Sequence, residues 1–90
     1  MNSYQGARRI EKFIKTKYAD DIEGRGGDAP TAYGTKRWDE IGLGGGDGSG
    51  IIWEGFYDWT RPKMIEKYEK LLHGSGLQVF ATADWMIEIF

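Results

Sequence analysis

Ninety residues carrying 12 Lys and Arg against 14 Asp and Glu, with no cysteine, make one domain near the lower size at which a core sustains itself. Disulfides and thiolate zinc sites are excluded, and a net charge of -2 gives no overall field to draw in DNA or an acidic membrane. No apolar run approaches the roughly 20 residues that span a bilayer, and the N-terminus lacks the hydrophobic region of a signal peptide. The expected location is therefore the cytoplasm, that of the host cell if the chain is virus-encoded.

Taken in chain order, residues 3–21 read as a helix. Ser3 is a candidate N-cap, Ala7, Ile10, Phe13, Ile14 and Tyr18 form one apolar face, and Gly24 is a natural stop. The polar side is basic, with Arg8, Arg9, Lys12, Lys15 and Lys17 answered only by Glu11 until Asp20, Asp21 and Glu23 reverse the sign. Such a face is ordinarily solvated surface, here helped by the Glu11–Lys15 pair.

Residues 24–50 hold ten of the fourteen glycines and one of the two prolines. Regular structure should be sparse there, because ordering glycine costs more chain entropy than ordering any other residue. Loops of this length in a small domain tend to be functional or disordered. Ala29 to Tyr33 and Lys36 to Ile41 offer anchors to the core, whereas Gly44 to Gly50 has nothing to bury and is expected to be the most mobile stretch.

An aromatic strand is expected at 51–57, with Ile51, Trp53 and Tyr57 alternating against Ile52, Glu54, Phe56 and Asp58. It leads into a helix at 60–73 capped by Thr60 or Asp58, with Pro62 in its first turn and Gly74 and Gly76 ending it. Met64, Ile65, Tyr68, Leu71 and Leu72 recur at helical spacing. Strands at 77–82 and 85–90, joined by a turn at Ala83-Asp84, complete a hairpin. The expected fold is α+β: a small antiparallel sheet of about three strands, packed on one side by two helices, with a long glycine-rich loop.

Most catalytic motifs fail their structural requirements. Gly24 to Ala29 matches G-x-G-x-x-A but follows a helix and runs into Pro30, and Gly44 to Gly50 lacks the Lys-Ser/Thr of a phosphate loop. Ser49 and Ser75 sit in no nucleophile elbow. His73 alone, with Asp28, Asp39, Asp47 and Asp58, supplies neither a zinc set nor a calcium-loop spacing. No catalytic residue, metal ligand or cofactor is expected, and an acid-base hydrolase or transferase using Glu54, Asp58 or His73 ranks last.

A concentration of Tyr, Trp and Arg remains around the loop and the second helix: Tyr33, Lys36, Arg37, Trp38, Asp39, Tyr57, Asp58, Trp59 and Arg61. These residue types dominate binding hot spots. Trp53 and Trp85 are expected to be buried facing each other, leaving Trp38 and Trp59 as the more exposed pair. The leading expectation is a non-enzymatic protein-binding module. A short chain with no catalytic or cofactor motif suits an inhibitor of a host nucleoprotein defence complex, anti-CRISPR-like and carried by a phage or mobile element. The rival is nucleic-acid binding through Arg8, Arg9, Lys12 and Lys15. Trp85 to Phe90 is read as an exposed apolar strand, so the chain is expected as a monomer or homodimer.

Overall fold

The computed structural model describes residues 1–25, 29–34, 49–55 and 57–90. Helix α1 spans Ser3–Lys17 and α2 Ala19–Arg25, followed by strands β1, Thr31–Tyr33, and β2, Ser49–Ile52. Helix α3 runs over Pro62–Leu71, and the chain closes with β3, Val79–Ala83, and β4, Met86–Ile89. The strands form one antiparallel sheet in the order β1-β2-β4-β3, so the last strand is inserted into the middle. Helices pack against this sheet, which is the α+β architecture expected, with a fourth strand supplied by the glycine-rich segment.

Helix α1 begins at Ser3, the first residue of the expected range, but its cap lies one residue earlier than expected. Asn2, not Ser3, is the N-cap: its side chain accepts from the Gln5 amide at 2.8 Å, while the Gln5 side chain accepts from the Asn2 amide at 2.9 Å. This reciprocal box satisfies two donors that the first turn would leave open. Ser3 turns its hydroxyl to Ser49 on β2 instead, at 3.2 Å. The helix does not stop at Gly24 but breaks at Tyr18, whose hydroxyl reaches the Met64 sulfur of α3 at 3.4 Å and whose ring meets the edge of Phe13. The chain resumes as α2, carrying Ile22 back against the core.

Beneath the sheet, Ala7, Ile10 and Ile14 of α1 and Met64, Tyr68 and Leu72 of the α3 segment meet Ala32, Ile51, Ile87, Val79 and Ile89. Each fully buried aliphatic side chain contributes about 1.5–3 kcal/mol. The register aligns Ala32, Ile51, Ile87 and Ala81 across the four strands, and Ser49, Ile89 and Val79 across three. Alternation therefore sends Tyr33, Gly50, Met86, Glu88 and Phe80 to the opposite face. Tyr33 and Met86 are buried there but stand outside the helix-side cluster.

Several boundaries move for identifiable reasons. The segment expected as loop at 24–50 holds β1 and the start of β2, and Ser49 and Gly50 are buried strand residues. The reading that Gly44 to Gly50 has nothing to bury does not hold at those two; residues 44–48 lie outside the described residues. β2 ends at Ile52 rather than Tyr57, because Trp53 gives its amide to the Trp85 carbonyl and the chain then turns through Gly55 at φ 118°. Neither Thr60 nor Asp58 caps α3: Arg61 is the N-cap without a side-chain bond, and Pro62 opens the helix. Gly74 and Gly76, at φ 83° and 78°, end that segment as expected, with Ser75 bonded to the Leu72 carbonyl. The hairpin turn lies at Asp84-Trp85, one residue later than expected. Hence β4 is an inner strand, and the apolar edge expected at Trp85 to Phe90 belongs to β3.

Gly50 is a position that only glycine fits. A Cβ there would lie 2.6 Å from the Tyr33 hydroxyl oxygen and run into the Ile87 carbonyl oxygen. Gly50→Ala is expected to cost about 1–3 kcal/mol, read as a lower urea midpoint at unchanged slope.

Burial raises the pKa of the Tyr33 and Tyr68 phenols above their ordinary value near 10, with the Glu88 charge adding to the effect at Tyr33. Their folded values lie above the unfolded ones, so this stability is complete below about pH 10 and is lost as pH rises beyond it. Urea midpoints should fall steadily above about pH 10, and Tyr68→Phe should flatten that fall.

Candidate functional site

The segment between β2 and α3 has no helical or strand period, and it is held by ring contacts instead. Trp59 is 3% exposed, its ring edge-on to Trp53 at 5.3 Å and its backbone carbonyl accepting the Tyr68 hydroxyl at 2.9 Å. Tyr57 stacks on Trp59 with centroids 3.8 Å apart and planes 5° from parallel, leaving it half-buried. Asp58 and Arg61 project beside it and pair at 2.9 Å, each side chain 72% exposed. In high dielectric such a pair contributes little stability, so its two charges stay available at the surface. The buried indole N–H of Trp53 finds no acceptor among the described residues, an unmet donor that costs about 1–3 kcal/mol.

Two expectations about tryptophan are corrected. Trp59, expected at the surface, is a core residue, because the bond from Tyr68 and the stack on Tyr57 fix it between sheet and helix. Trp85, expected to face Trp53 in the interior, is 44% exposed. The two pair through the backbone, Trp53 N to Trp85 O at 3.2 Å, but the shifted turn leaves the Trp85 ring outside. The hairpin turn and the Tyr57–Arg61 corner are thereby linked through Trp53, and Glu54, Asp58 and Asp84, next in the chain to Trp53, Tyr57 and Trp85, are exposed.

Of the residues singled out for partner binding, the structure brings Tyr57, Asp58, Trp59 and Arg61 together and buries Tyr33 on the sheet, 2% exposed. Lys36, Arg37, Trp38 and Asp39 lie outside the described residues, as do Asp28, Asp47 and Phe56. Trp85, the residue that joins the corner from the hairpin, escaped the sequence pattern because a shift of one position decides which way a strand residue points.

The basic face of α1 is present as read. Arg8, Arg9, Lys12 and Lys15 are all exposed, and Lys17 lies over the Phe13 and Tyr18 rings. Glu11 is turned inward: its carboxylate accepts the Ala32 amide of β1 at 2.5 Å and lies 3.5 Å from Arg8 and 3.9 Å from Lys15. The Tyr4 hydroxyl and Glu11 together raise the Arg8 pKa further. Glu54, Asp58 and His73, the acid-base candidates, are exposed side chains on separate turns. Among the described residues no three His, Cys, Asp or Glu side chains gather as metal ligands would, and no helix is long and apolar enough to cross a membrane.

Trp59→Ala should cost about 3–5 kcal/mol of unfolding free energy, since it empties the corner's core. Tyr57→Ala, which removes only the outer ring of the stack, should cost about 1 kcal/mol; urea denaturation of the two variants separates anchor from surface.

No protein-family model, no curated protein and no solved structure matches this chain.

Proposed function

We propose that this chain is a small non-enzymatic protein-binding module whose contact surface is the Tyr57–Arg61 corner together with the Trp85 turn. The observation that carries this is the exposed Trp85 ring on a turn whose backbone is bonded to Trp53, which meets Trp59 edge-on beneath the stacked Tyr57; Glu54, Asp58 and Asp84, the chain neighbours of Trp53, Tyr57 and Trp85, are all exposed. Large aromatic rings held in place by a core beneath them lose little entropy on binding, which is why they anchor interfaces. Trp59 and Trp53 serve as the buttress and are not contact residues. These exposed acids select a basic partner surface, such as the cationic groove of a host nucleoprotein complex; an inhibitor of such a complex, anti-CRISPR-like, is the narrower form of the proposal.

Affinity capture from the native host, read by mass spectrometry, tests it. Trp85→Ala and Asp58→Lys should each lose the principal partner by tenfold or more, with urea midpoints close to that of the unaltered chain. Retention of every partner by both variants would reject the surface.

The inward turn of Glu11 favours a second reading, nucleic-acid binding by α1, because it leaves Arg9 and Lys12 without a carboxylate partner among the described residues. That model requires affinity for single-stranded DNA or RNA that falls steeply with salt and drops when Arg9 and Lys12 are changed to Gln. Absence of such binding at low salt leaves the protein partner alone.

A further inference from the structure

The two outer strands of the sheet end differently. On β1, the Ala32 amide is taken by the Glu11 carboxylate of α1, a charged plug on that edge. On β3 no described residue adds a strand, and Phe80, Ala81 and Thr82 are exposed in succession, Phe80 at 47%. Gln78 and Phe90 exchange both backbone hydrogen bonds, at 2.8 and 3.0 Å. The antiparallel pattern then points the N–H and C=O groups of Gln78 and Phe80 toward β4, and those of Val79 and Ala81 outward along the open edge.

Five consecutive residues there, Gln78-Val79-Phe80-Ala81-Thr82, carry no charge and no proline. Charge and proline are features that outer strands use to prevent pairing, and this stretch has neither; the bulge of β3 lies beyond Ala81, at its far end. Next to the edge, the Phe80 and Phe90 rings meet edge-on at 5.8 Å on the face away from the helices, Phe90 being 56% exposed.

We infer that β3 pairs with β3 of a second copy of this chain about a two-fold axis through Phe80, making a continuous eight-stranded sheet. The register follows from the outward groups. Antiparallel pairing joins hydrogen-bonding positions to hydrogen-bonding positions, so Val79 meets Ala81 of the other copy and Ala81 meets its Val79, giving four backbone bonds. Phe80 then faces its own counterpart in the closer, non-hydrogen-bonded position, and the two Phe80 and two Phe90 rings form one apolar cluster. The regular rungs run from Val79 to Ala81, before the bulge at Thr82, and all of them are uncharged and self-compatible. A foreign strand would gain the same backbone bonds, but only a second copy brings the matching pair of rings at the axis.

Sedimentation velocity of the full chain should show a mass that rises with concentration from one protomer toward two. Phe80→Lys places like charges across the axis while setting a cation opposite Glu88 within its own sheet, so the fold is kept. It should weaken dimerisation at least tenfold with an unchanged circular dichroism spectrum. Because the chain has no cysteine of its own, Phe80→Cys offers a second reading of the axis: mild oxidation should yield a disulfide-linked dimer, whereas Thr82→Cys, at the bulge and off the axis, should not. A chain that stays monomeric to about 1 mM, a Phe80→Lys variant that dimerises as before, or equal cross-linking at positions 80 and 82 would each overturn the inference.

Discussion

A tyrosine hydroxyl with no access to water must find an acceptor within the protein, and Tyr68 finds the backbone carbonyl of Trp59. That bond ties the middle of α3 to a segment with no secondary structure of its own. The Tyr68 ring meets Phe13 edge-on at 6.2 Å, which brings α1 into the same contact. Trp59, held by its carbonyl, supports Tyr57 on one side and Trp53 on the other. Loss of the hydroxyl would leave a buried carbonyl unpaired, at about 1–3 kcal/mol, in a fold whose total stability is of the order of 5–15 kcal/mol. The corner proposed for recognition is thus rigid because of a residue placed nine positions further along the chain.

What could be read from the residues followed from their periodicity. The apolar faces of α1 and α3 repeat at helical spacing, Pro62 and the Gly74–Gly76 pair mark one helix at both ends, and the last two strands alternate visibly. The Asn2–Gln5 box was also legible, since Asn three residues before Gln is a capping signature as good as Ser. β1 was not. Thr31-Ala32-Tyr33 is too short to alternate, lies between Pro30 and Gly34, and becomes a strand only because β2 and the Glu11 carboxylate satisfy its backbone. Tertiary partners decided its conformation where local propensity was silent.

The tryptophans illustrate a different limit. Trp59 lies between Asp58 and Thr60, polar neighbours that suggest surface, yet its burial is decided by the distant Tyr68 and adjacent Tyr57. Trp85 sits among apolar residues that suggest core, yet a turn placed one residue later leaves it outside. In both cases the sequence identified the right residue types and the wrong side of the surface. Period-two patterns fix orientation only when the register is known, and the register here is set by the bulge between Ala81 and Ala83.

The two proposed surfaces, corner and edge, are consistent with each other because they occupy different stretches of one hairpin. Pairing about Phe80 uses the start of β3, whereas Trp85 lies at the turn beyond Ala83. In an antiparallel two-fold arrangement the turns point in opposite directions, so two corners would sit at opposite ends, roughly 30 Å apart from the rise per residue along a strand. On the two proposals together, such a dimer would offer both corners to a repetitive or extended basic partner, and the second contact would form at a high effective concentration. An affinity modest for one proposed corner would become substantial for two. The open edge of β3 would in that case determine how strongly the acidic, aromatic corner acts on its partner.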